Sequence, residues 1–167
     1  MDQVLKNFVE KISERTCLEF PQFADEAVHT APFLAVLEIP DNSGAERSRK
    51  CSLDNDDPTA KLTLRIVTKV GIKREQIVFW NFYAAYKSER NRKFWARELE
   101  GLIKEMPKLR AIVAFGDEAW RGMRDVDLRK GIALLGARHP SNRGCNPDTE
   151  EAEQELTRVW SRAKALL

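Results

Sequence analysis

His139 and Pro140 follow the apolar run Ile132 to Leu135, and Ser141, Asn142 and Arg143 come directly after them. A histidine at the carboxyl end of a buried strand, held by a proline turn, aims an imidazole into the crevice beyond the sheet. Arg143 then stands four residues further along an exposed loop. A second apolar run, Gln76 to Asn81, ends on an asparagine, whose one side-chain amide offers both a donor and an acceptor. A third run, Phe33 to Leu37, ends on Glu38-Ile39-Pro40-Asp41. Between the third and second runs lies an acidic cluster, Asp54, Asp56 and Asp57. Clustered carboxylates suit a divalent cation, but this spacing matches no cation-binding loop. Asp57 is better placed as a helix cap before Pro58, leaving Asp54 and Asp56 to solvent. His29, the other histidine, has no comparable context.

Charge and composition narrow the classes. The chain has 167 residues, 43% hydrophobic and 32% charged. That is enough for one domain with its own core and is not a disordered composition. No apolar run approaches the roughly 20 residues needed to span a bilayer. The net charge of +2 neither demands nor excludes nucleic acid. Three scattered cysteines (Cys17, Cys51, Cys145) form no C-x-x-C pair, which argues against a disulfide scaffold or a cysteine metal site. The first residues place Val4, Leu5, Phe8, Val9 and Ile12 on one side of an amphipathic helix. They lack a signal-peptide layout, so the expected location is intracellular, and cytoplasmic with the nucleoid if the source is bacterial.

The elements that would position these residues follow from periodicity. Residues 1–15 read as helix, and 16–30 as irregular or helical, with Pro21 as punctuation. Residues 33–37 read as strand, and 45–57 as polar loop. From Pro58, Leu62, Ile66, Val67 and Val70 recur at helical spacing until Gly71 ends the pattern. Residues 76–81 read as strand. The basic segment Lys87 to Arg97 leads into a helix whose inner face is Phe94, Leu99, Leu102 and Ile103. Residues 109–115 read as strand, 116–120 as the opening of a short helix, and 131–135 as the last strand. A final helix is expected from about Asp148, with Glu151 in capping-box position and Leu156, Val159, Trp160 and Ala163 inward. Strands that do not alternate, separated by helices, imply a parallel sheet covered on both faces. The expected architecture is a three-layer α/β/α sandwich with a four-stranded parallel sheet. It forms one domain over 1–167, with 1–30 as an N-terminal helical segment. Ligands of such sheets sit beyond the carboxyl ends of the strands, here Glu38 to Pro40, Asn81, Gly116 and His139.

Those four ends carry a resemblance. Leu37-Glu38-Ile39-Pro40, Trp80-Asn81, Ala114-Phe115-Gly116-Asp117-Glu118-Ala119 and His139-Pro140-Ser141 with Arg143 resemble, in order, the motifs of the uracil-DNA glycosylase superfamily. The match covers about residues 33–167. The resemblance implies hydrolysis of the N-glycosidic bond of uracil in DNA, and of other deaminated or damaged bases, as the first step of base-excision repair. The base is flipped into a pocket, and water attacks the sugar. By this resemblance His139 donates to the base oxygen as it becomes anionic. Asn81 reads O4 and N3–H of uracil. Glu38 orients the water, with Asp41 and then Asp56 as further carboxylate candidates. Arg143 fills the gap left by the base, and Ser141 and Asn142 hold flanking phosphates. It implies no cofactor and no metal, DNA as the partner, no membrane, and a monomer.

The chain departs from the family pattern in several places. Leu37 stands where the first motif opens with glycine. Ile39 occupies the position of the classical water-activating aspartate, and Asp41 that of the thymine-excluding tyrosine. Residues 41–57 contain no aromatic to stack on the base, and the iron–sulfur cysteines of one branch are absent. Phe82, Tyr83 and Tyr86 are the stacking candidates left. Lys87, Arg90, Arg92, Lys93 and Arg97, with Arg47, Arg49 and Lys50, are candidates to track the DNA backbone. The alternative reading is a catalytically silent nucleobase- or DNA-binding module of the same fold. An unrelated nucleotide-binding domain ranks last, because no glycine-rich phosphate loop is present.

Overall fold

The computed structural model describes residues 2–40, 45–86, 90–140 and 150–167. Four strands, β2 (Phe33–Leu37), β4 (Ile77–Asn81), β5 (Ala111–Phe115) and β6 (Ala133–Ala137), form one parallel sheet in the order β4-β2-β5-β6. Successive side chains leave a strand on opposite faces, and here both faces are buried. Leu34, Val36, Val78, Trp80, Ile112 and Ala114 face one core, shared with α1 (Gln3–Thr16), α4 (Arg92–Lys104) and α5 (Gly116–Met123). Phe33, Ala35, Ile77, Val113 and Phe115 face the other, shared with α3 (Pro58–Val70) and α6 (Glu150–Lys164). The chain is thus α/β with helices against both faces of a parallel sheet, compatible with the three-layer sandwich expected from sequence.

Local chemistry sets the element ends. Asp57 caps α3 by accepting from the Ala60 N–H at 2.9 Å, Pro58 opens the helix, and Gly71 closes it. Asp2 caps α1 through the Val4 and Leu5 N–H groups. Asn91 caps α4 through the Phe94 N–H.

Several expectations are corrected. Residues 16–30 and 45–57 contain two-residue strands, β1 (Gln22–Phe23) and β3 (Lys50–Cys51), which pair in parallel as a second small sheet, and α2 (Ala45–Ser48) precedes β3. The last strand begins at Ala133, not Gly131, and lies at the sheet edge. With one neighbour only, it buries Leu135 while Ala133, Leu134 and Ala137 stay half-buried. Trp95 and Ala96 point inward from α4, and Phe94 is only partly buried, packed edge-on to Trp95 at 5.0 Å. The inward residues of α6 are those expected, but a start at Asp148 falls outside the described residues. Among the described residues no helix is long and apolar enough to cross a membrane.

Candidate functional site

In this topology β2 connects through α3 to β4 on one side, while β5 connects through α5 to β6 on the other. The chain directions diverge between β2 and β5, which opens a crevice at their carboxyl ends. A cavity of about 690 Å³ occupies that position. Its wall includes Glu38, Asn81, Gly116 and His139, so the four strand ends singled out from sequence meet at one site. The first turn of α3, with Asp57, Thr59 and Ala60, closes another side.

Glu38 follows β2. The ladder runs on past the strands here: the Phe82 N–H donates to the Leu37 carbonyl at 2.7 Å, and the Tyr83 N–H to that of Glu38 at 2.9 Å. The Glu38 carboxylate pairs with Arg90 at 2.9 Å, and Arg90 also lies over the Tyr83 ring, 5.7 Å from its centroid. Burial pushes the Tyr83 phenol above its ordinary value, and Glu118 nearby adds to this. The guanidinium thus sits between an anion and an aromatic face and holds the carboxylate at the cavity wall.

Asn81 ends β4 and is 4% exposed. Its Nδ2 donates to Cys51 Sγ at 3.1 Å. Burial pushes the Cys51 thiol up to about 12, with the Asn81 N–H acting in the opposite direction. The thiol is therefore un-ionised and chemically quiet.

His139 lies two residues beyond β6. Glu155 of α6 clamps the chain just before it, accepting from the Arg138 backbone N–H at 3.2 Å and pairing with its side-chain Nε at 3.1 Å. Gly116, at the β5–α5 junction, has φ +82°, and a Cβ there would lie 3.2 Å from the His139 Cβ. A hydrogen at this position lets the imidazole-bearing segment settle against the end of β5.

Other candidates fall elsewhere. Asp56 is exposed and pairs with Lys61 at 2.5 Å, which holds its carboxyl below the usual range. It is not part of the cavity wall, whereas Asp57 next to it is. Asp41, Ser141, Asn142, Arg143 and Lys87 lie outside the described residues. His29 binds Asp2 through Nδ1 at 2.8 Å. Arg92 pairs with Asp125, Lys50 with Asp25 and Arg49 with Glu19. Much of the basic sequence is thus matched by local acids.

The three aromatic candidates do not line the cavity. Phe82 and Tyr83 are core residues, and the Tyr86 hydroxyl donates to the Ala45 carbonyl. Phe79 and Phe115 line it instead. In the sequence both sit inside apolar strand runs with no polar neighbour to single them out. The signal that finds them is period two: Phe79 sits two before Asn81, on the same face, and Phe115 sits directly before the turn glycine. Among the described residues no group of three or more His, Cys, Asp and Glu side chains is arranged to hold a metal.

The fold and cavity define an α/β protein with a ligand-sized crevice at the carboxyl edge of its parallel sheet. No protein-family model matches the chain, and no curated protein matches its sequence.

Proposed function

We propose that the chain is a monofunctional DNA glycosylase that removes uracil, and other deaminated or damaged bases, by flipping the base and hydrolysing its N-glycosidic bond. The observation that carries this reading is the meeting of His139, Asn81 and Glu38 around one cavity. These residues are spread over about a hundred positions of sequence, and each suits a separate part of the same reaction. The cavity volume of about 690 Å³ lies within the roughly 300–1,000 Å³ of small-molecule sites, and the half-buried Phe79 supplies aromatic surface for a flat heterocycle.

In this reading His139 donates to the base oxygen on which negative charge grows as the glycosidic bond breaks, and so stabilises the leaving anion. Asn81 reads the base edge through its amide. Glu38, held by Arg90, orients water toward the sugar from the far side. Cleaving with water requires no lysine nucleophile.

The test is strand cleavage at a single labelled uracil after alkali treatment, with wild type and His139→Ala in parallel. Cleavage by wild type that falls at least about a hundredfold in the variant supports the reading, the cost typical of losing one such donor. Absence of cleavage at uracil, hydroxymethyluracil and deaminated purines, in single and double strands, rejects it in favour of the binding module.

A further inference from the structure

An asparagine amide turned by half a rotation about its last torsion presents the same atoms in exchanged places. One way round it matches an edge with a carbonyl oxygen beside a ring N–H, as in uracil. The other way round it matches the reversed edge of cytosine. A reader of this kind discriminates only if something holds its orientation. For Asn81 the holder is visible. Nδ2 donates to Cys51 Sγ at 3.1 Å, both residues being at most 5% exposed. Oδ1 accepts no hydrogen bond among the described residues, and Asn81 lines the cavity.

Cys51 is itself firmly placed. It pairs with Phe23 in the small sheet, and Phe23 stacks on Trp80 with ring centroids 4.3 Å apart. Trp80 directly precedes Asn81. The Asn55 side chain also binds the carbonyl of Lys50, next to Cys51, at 3.0 Å. The segments carrying the sulfur and the amide are therefore locked to each other through one aromatic stack.

We propose that Cys51 is the positioning residue that fixes the Asn81 amide with its oxygen toward the cavity. This sets a preference for a base edge bearing a ring N–H beside a carbonyl oxygen, as in uracil, over the reversed edge of cytosine. The assignment rests on the nucleobase reading proposed above and adds its specificity determinant.

Two measurements separate the two claims. Side-chain amide resonances of Asn81 are titrated with free uracil and free cytosine in wild type, Cys51→Ala and Cys51→Ser, each first checked for a cooperative melt. Uracil excision by the same three proteins is followed as kcat and KM. The wild type is expected to favour uracil over cytosine by about tenfold or more, the ratio that one hydrogen bond corresponds to. The alanine variant loses that preference and excises uracil more slowly. The serine variant, whose hydroxyl accepts the same N–H, recovers both. A folded alanine variant with the wild-type preference, or a wild type with none, overturns the assignment. A preference that depends on Cys51 in a protein that excises nothing rejects the glycosylase and leaves the positioning role standing.

Discussion

Gly116 shows how little room the candidate site leaves. Its φ of +82° lies where a side chain is strained, and its missing Cβ is the space into which His139 packs. Gly116→Ala meets both costs. The backbone strain alone is about 1–2 kcal/mol, and a 3.2 Å contact must be relieved by moving His139. The expected result is a melting temperature lowered by several degrees and, under the proposed glycosylase function, uracil excision reduced by more than the loss of folded protein explains. Parallel denaturation and activity measurements on one preparation check this. Glu38 belongs to the same scale: its partner Arg90 comes from beyond β4, so the carboxylate depends on two strand exits and not on its own turn.

At the scale of elements, the N-terminus of α1 is tied to the approach to β2. Asp2 accepts from the Val4 and Leu5 N–H groups and also from the backbone and ring nitrogens of His29. Burial raises the Asp2 carboxyl, but these four hydrogen bonds more than offset it and hold it below its ordinary value. The sign follows from linkage. The folded-state value is below the unfolded value of about 3.9, so the stabilisation is fully present above about pH 4 and is lost as pH falls through the folded value. Asp2→Asn keeps a capping oxygen and removes the charge. It is expected to cost about 1 kcal/mol at pH 7, the cost shrinking as pH falls below about 4. Urea titrations of both proteins at pH 7 and at a series of values below pH 4 measure the difference.

Elements also show what a sequence carries. The bounds of α3 were legible because Asp57, Pro58 and Gly71 each satisfy a local requirement of a helix end. The carboxyl ends of β2, β4 and β5 were legible because buried parallel strands are uninterrupted apolar runs; that of β6, at Ala137 and not Leu135, was not, because an edge strand is only partly buried. The small sheet was not legible. Two-residue strands have no period, and the pairing of Phe23 with Cys51 depends on Phe23 finding Trp80, far along the chain. The Asn81–Cys51 bond was hidden for the same reason, since nothing local to either residue demands the other.

For the whole molecule, the N-terminal segment is part of the main core. Leu5, Val9, Ile12, Phe20 and Phe23 are each at most 8% exposed and pack with the sheet. Burying such a side chain contributes about 1.5–3 kcal/mol, so the five together supply roughly 8–15 kcal/mol. That equals the whole net stability of a typical domain, about 5–15 kcal/mol. A chain lacking residues 1–30 is therefore expected to show no cooperative thermal transition by circular dichroism. A sharp melt would mean that the sheet with α3 to α6 stands alone. The wall of the cavity would be incomplete even then, because β1 is the partner that holds β3 and Cys51 beneath Asn81.

The strand order has a consequence in time. The two central strands, β2 and β5, join Phe33 to Ala111, so the middle of the sheet closes a loop of nearly half the chain. Pairings at such separation form slowly, because the entropy of closure precedes any reward. During synthesis β2 emerges long before the strand that will cover its flank. It waits beside β4 with one edge bare, and the crevice between β2 and β5 has no second wall until Ala111 to Phe115 have left the ribosome. The site is thus a late product of folding: any partly formed chain lacks the cavity altogether, rather than holding a weaker version of it.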